Sequence, residues 1–70
     1  MIKIQITNTV SHCRKEKGIT QEAFADAIGV SRQTVIAIEK GNYIPSLLLG
    51  IKIARFFNKR VEEVFMYHEK

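Results

Sequence analysis

The chain has 70 residues, 46% of them hydrophobic and 26% charged. A chain this short buries only about 60% of the surface its unfolded form exposes, which argues against a two-lobed enzyme, and the composition argues against disorder. Eleven Lys and Arg against seven Asp and Glu give a net charge of +4, which favours a polyanionic partner without specifying one.

The basic excess lies in residues 1–60, and the last ten residues are mildly acidic. Cys13 is the single cysteine, so no disulfide can form within the chain and a reducing cytoplasm is expected. No apolar run approaches the length of a membrane span. The opening MIKIQITNTV lacks the apolar core and cleavage site of a signal peptide. No membrane partner is therefore expected.

Residues 2–6, IKIQI, alternate apolar and polar and predict a short strand with Ile2, Ile4 and Ile6 on the face to be buried. Its expected partner is Val64–Tyr67, rich in strand formers. Asn8 can cap a helix running to about Lys17, with Val10 and Cys13 on one face and Gly18 as a left-handed stop. Thr20 caps a second helix, Gln21 to Ile28, with Phe24, Ala25 and Ile28 inward. Ser31 caps a third, Arg32 to Lys40, with Val35 and Ile38 inward and Gly41 ending it. After the loop Asn42–Pro45, a fourth helix is expected from Ser46 to about Asn58. Its polar stripe of Lys52, Arg55 and Lys59 is so narrow that the helix should be central to the core. A turn near Val61–Glu63 leads to the last strand.

The informative segment is Gln21 to Lys40. Its first helix is too short to be stable alone. Phe24, Ala25, Ile28, Val30, Val35 and Ile38 suit two helices crossing steeply about a tight turn. Gly29 suits a positive φ, Ala25 allows close approach, and Val30 plugs the corner. This is the helix-turn-helix pattern.

The stretch RKEKGITQEAFADAIGVSRQTVIAIEKGNYIPSL resembles the helix-turn-helix family of phage repressors and Cro proteins, the XRE family. The likeness runs from about Asn8 to Phe65, with glycines, caps and apolar positions all in register. It implies a mainly α, five-helix, lambda-repressor-like DNA-binding domain spanning residues 1–70. A small antiparallel two-stranded ribbon would pair its N- and C-terminal segments, as in a compact stand-alone member of the cytolysin-repressor type.

Recognition chemistry follows. The third helix fits the major groove of B-DNA with its first residues at the base edges. Arg32 can bind guanine in bidentate fashion, and Gln33 can do the same with adenine. Ile36 and Ala37 could touch thymine methyls. The position of Ile36 is more often polar in the resembled family, which argues against a purely polar readout. Thr20, Gln21, Ser31, Thr34, Lys40, Asn42 and Tyr43 are expected on phosphates, positioning the protein without specifying sequence. The resemblance also implies a structural ion pair between Arg14 and Glu39, and a twofold dimer reading a pseudo-palindrome. Leu48, Phe56, Phe65, Met66 and Tyr67 are the expected dimer contacts.

The reading is thus a DNA-binding transcriptional repressor whose partners are double-stranded DNA and a second copy. The alternative is an antitoxin-type interaction module that binds a toxin and represses its own operon. A third is an RNA or nucleoid binder without sequence preference. His12 and His68 are read as surface residues, since His12–Cys13 lacks helical ligand spacing. No metal, cofactor, small-molecule ligand or catalytic set is expected.

Overall fold

The computed structural model describes residues 2–69. Among them the order is β1 (Ile4–Asn8), α1 (Val10–Glu16), α2 (Gln21–Ile28), α3 (Arg32–Glu39), α4 (Leu47–Phe56), α5 (Val61–Val64) and β2 (Phe65–Glu69). This is the expected mainly helical architecture with a two-stranded antiparallel ribbon. No helix among the described residues is long and apolar enough to cross a membrane.

Each helix begins for a local reason. The hydroxyls of Thr20, Ser31 and Ser46 accept the backbone N–H three residues on, at 3.0, 3.1 and 3.2 Å, which satisfies one otherwise orphaned donor per helix. Helix α1 differs. Thr9 stands at its N-cap without a side-chain capping bond to the helix amides, and Asn8 Oδ1 accepts from the Val10 N–H at 3.1 Å. Helix α5 is opened by Glu63, whose Oε1 accepts the Arg60 N–H at 2.9 Å. That bond holds the Glu63 carboxyl below its ordinary range against an opposing desolvation, with the Arg60 charge adding to the lowering. Its stabilising effect is therefore present at neutral pH and lost as acid protonates Glu63.

Four helices end alike. Gly18, Gly29, Gly41 and Asn58 adopt φ of 73°, 78°, 80° and 57°. The next amides, of Ile19, Val30, Asn42 and Lys59, reach back to the carbonyls of Arg14, Ala25, Ala37 and Ala54 at 3.3, 3.0, 2.9 and 2.9 Å. This six-to-one closure satisfies end carbonyls that the helix itself cannot. Gly29 is the critical instance, because it turns the chain from α2 into α3 within three residues. A Cβ there would meet little but Lys52 Nζ at 3.8 Å, so the demand on glycine is one of backbone conformation, not of space.

The core is filled by Phe24, Ile38, Ile53, Val10, Val35 and Val64, all fully buried. Phe24 sits 5.0 Å from Phe57 and 5.3 Å from Phe56 between ring centroids. Phe56, expected at a dimer contact, therefore belongs to this aromatic cluster, with Lys17 Nζ 5.3 Å from the centre of its ring. Helix α4 is fully buried along the stripe Gly50, Ile53 and Ala54, with Leu49 and Phe56 partly buried against the core. Leu47, Leu48 and Ile51 point away from it and are 76%, 70% and 38% exposed.

In the ribbon, Ile4 lies opposite Glu69 and Asn8 opposite Phe65. The pairing is shifted toward the C-terminus on both strands relative to the expectation. Val64 is fully buried and completes α5, so the strand begins only at Phe65. Ile6 is half-buried, whereas Ile2 and Ile4 are exposed, so the expected buried isoleucine face is covered at Ile6 alone.

A charged pair is withdrawn from water between α1 and α3. Arg14 Nε donates to Glu39 Oε2 at 2.7 Å, Nη2 to Glu39 Oε1 at 3.3 Å, and Nη1 to the Ile19 carbonyl at 2.9 Å. The two side chains are 11% and 7% exposed. This pair ties α1 to the last turn of α3.

Removing one partner of a buried pair strands the other charge, at about 3–5 kcal/mol. Arg14→Ala should therefore lower the free energy of urea unfolding by about 3 kcal/mol or more, and a loss below about 1 kcal/mol would mean the pair behaves as an exposed one. Gly29→Ala should cost about 1 kcal/mol in the same assay, from the positive φ alone.

Candidate nucleic-acid interface

The two faces of α3 divide cleanly. Val35 and Ile38 are fully buried. Arg32 and Gln33 are exposed, and Ile36 and Ala37 are half-buried. These four, followed by exposed Lys40, recur at helical spacing and form one outward stripe. Arg32 engages no acid among the described residues, so its guanidinium edge is available. The four residues expected to read bases thus share one accessible surface, backed by core.

At the start of α3, the Ser31 hydroxyl caps the Thr34 N–H and lies 3.0 Å from Thr34 Oγ1. Both hydroxyls lie at the positive end of the helix dipole, as an anion contact requires. Across an open hollow of about 360 Å³, lined by Arg14, Thr20, Gln21, Glu22 and Arg32, the start of α2 faces the start of α3. Thr20 is exposed there, its oxygen occupied by the Ala23 N–H at 3.0 Å, leaving its proton to donate. Glu22 brings a negative charge to the same hollow. At the other end, Lys40, Asn42 and Tyr43 are exposed on the loop leaving α3.

Gln21 also has a partner within the chain. Its Nε2 donates to Glu39 Oε1 at 3.1 Å, so its amide is turned toward the Arg14–Glu39 pair. The Glu39 carboxylate thereby receives donors from α1 and α2 together, and no unbalanced negative charge lies behind the outward stripe. Sequence spacing could place Gln21 at the helix start but not show which way its amide points.

The expected dimer contacts also separate. Leu48 and Tyr67 are exposed, and Phe65 and Met66 are half-buried. Phe65 shares a ribbon face with Ile6 and Tyr67, whereas Met66 pairs with Thr7 on the opposite face. An apolar groove of about 180 Å³ joins Ile6 and Phe65 to Ile44, Pro45, Leu47, Gly50 and Val61. Ile4, Ile44, Leu47 and Ile51 extend the exposed apolar surface, and none of these four was among the expected contacts.

Residues 11–64 match the helix-turn-helix family HTH_3. Among curated proteins, the uncharacterized HTH-type transcriptional regulator MJ0272 of Methanocaldococcus jannaschii is 50% identical over 62 residues, covering 89% of this chain and 94% of that one. The uncharacterized regulator YgzD of Bacillus subtilis is 48% identical over 63 residues, covering 90% and 96%. The cryptic phage CTXphi transcriptional repressor RstR of Vibrio cholerae is 33% identical over 58 residues, covering 83% of this chain and 52% of that protein. A crystal structure from Bacteroides fragilis matches with a TM-score of 0.78 at 23% identity, over 87% of this chain and 98% of that one, and shows the same fold. The chain belongs to the helix-turn-helix family of transcriptional regulators, proteins that bind DNA and are not enzymes.

Proposed function

We propose that this chain is a sequence-specific repressor that inserts α3 into the major groove of a pseudo-palindromic operator as a homodimer. The observation that carries this reading is the outward stripe of Arg32, Gln33, Ile36 and Ala37, backed by buried Val35 and Ile38. A helix is the right width for that groove, and residues at its start reach base edges. Thr20, Ser31, Thr34, Lys40, Asn42 and Tyr43 flank the stripe and hold phosphates. Gln21 serves mainly through Glu39, with its backbone N–H at the start of α2 still facing the hollow. The transcriptional repressor RstR among its relatives supports repression as the direction of regulation.

The partner copy sits on the apolar surface. Leu47 and Leu48 are 76% and 70% exposed beside a groove lined by apolar side chains, giving each copy a projecting element and a recess. None of the residues lining the groove is charged, so two chains of net charge +4 can meet there without desolvating ions. Leu48, Phe65 and Tyr67 take part with Ile44, Leu47 and Ile51, and Phe56 does not. A twofold arrangement places the two α3 helices about 34 Å apart, one turn of DNA.

Selection of bound sites from a random duplex pool tests the reading, which expects one two-part motif and is defeated by the recovery of no motif. On the selected site, Arg32→Ala should cost about 1–3 kcal/mol and relax the preference at one base pair. Lys40→Ala should weaken binding to all sequences alike and reduce the salt slope by about 1. Leu47→Glu should yield a monomer in sedimentation at tens of micromolar while leaving the helical content unchanged. A dimer that survived this change would place the contact elsewhere.

A further inference from the structure

The Asn8 side chain joins three elements. It stands at the end of β1, opposite Phe65. Its Oδ1 accepts the Val10 N–H at 3.1 Å and so serves the start of α1. Its Nδ2 donates to the carbonyl of Ile38, thirty residues on, at 2.9 Å. That carbonyl lies in the last turn of α3 and also accepts the Gly41 N–H at 3.0 Å, so both its lone pairs are used. The next residue keeps this corner in place: the Thr9 N–H donates to the Val64 carbonyl at 2.9 Å, and Thr9 Oγ1 to that of Glu63 at 3.3 Å.

Elsewhere β1 stands clear of the chain leaving α3. Residues Ile4 to Asn8 and the segment Glu39, Lys40, Gly41 and Ile44 flank an open hollow of about 420 Å³. The ribbon therefore does not press against the end of α3 along its length. The Asn8 amide is a polar bridge across one end of the gap. The end of α3 is thus held twice, at the Glu39 carboxylate by α1 and α2, and at the Ile38 carbonyl by β1.

We propose that Asn8 is a positioning residue for DNA recognition: its amide fixes the end of the reading helix relative to the terminal ribbon. The inference rests on α3 being the reading helix, and it accounts for an amide here and not merely a cap. A cap needs an acceptor only, which Asp or Ser supplies as well as Asn. The bond to Ile38 needs a donor with the reach of an amide. Asn8→Asp keeps the acceptor for Val10 and sets a carboxylate oxygen against the Ile38 carbonyl. Asn8→Ser keeps a short acceptor and cannot reach Ile38.

The full chain and both variants are compared by circular dichroism and by affinity for the selected operator and a scrambled duplex of equal length, well below each melting temperature. The expected result is native helical content in both variants. Operator affinity falls about tenfold, equivalent to about 1.4 kcal/mol, while scrambled-duplex affinity changes less than about threefold. Equal losses on the two duplexes, no loss on either, or failure of both variants to fold would each overturn the inference and leave Asn8 a structural residue. If only the Asn8→Asp variant fails to fold, the ratio of the two affinities in Asn8→Ser decides. A wild-type chain that does not distinguish the two duplexes sinks the operator reading itself, a failure separate from that of Asn8.

Discussion

The carboxylate of Glu39 is the point through which the placement of α3 is settled. It is almost wholly removed from water, where an unpaired charge would be costly. It is satisfied only when α1 brings the Arg14 guanidinium and α2 brings the Gln21 amide to it. A bidentate-type contact with a guanidinium is directional, so it selects an orientation and not only a distance. The apolar contacts of Val35 and Ile38 supply most of the burial, yet they would tolerate some sliding. The polar node removes that freedom.

This explains how a small molecule can hold the outward face of α3 in place. Its helices are all short, and such lengths are unstable in isolation. Stability must come from the shared centre, where Phe24 meets Phe56 and Phe57, and from closures at each helix end. The outward side chains of α3 are then free to vary, since none of them belongs to the buried core.

Much of the fold was legible because it is local. Thr20, Ser31 and Gly29 each act within a few residues of themselves, so their chemistry can be read along the chain. The ion pair of Arg14 and Glu39 was implied by the family resemblance; spacing alone would not have joined residues so far apart. The rest failed where tertiary context decides. Leu47 and Ile51 match the composition of a buried helix, but α4 can turn only one stripe inward, and Gly50, Ile53 and Ala54 occupy it. Phe56 packs, half-buried, against the rings of Phe24 and Phe57, a contact that spacing along the chain does not show. The ribbon register depended on where α5 stops, which a four-residue helix announces only faintly. The outward stripe on α3 was legible from the two inward positions, whereas the inward turn of Gln21 and the far bond of Asn8 were not.

The four matching helix stops have a wider consequence. Because each closure is fixed by one left-handed residue, a helix cannot gain or lose a turn without forfeiting its own end bonds. Lengthening or shortening is thereby resisted, whereas exchanging the outer side chains of α3 disturbs no closure. Such a frame lets the outer surface of α3 change by single substitutions while the scaffold stays constant. It also means that a peptide copied from α3 would carry the side chains without the frame that places them.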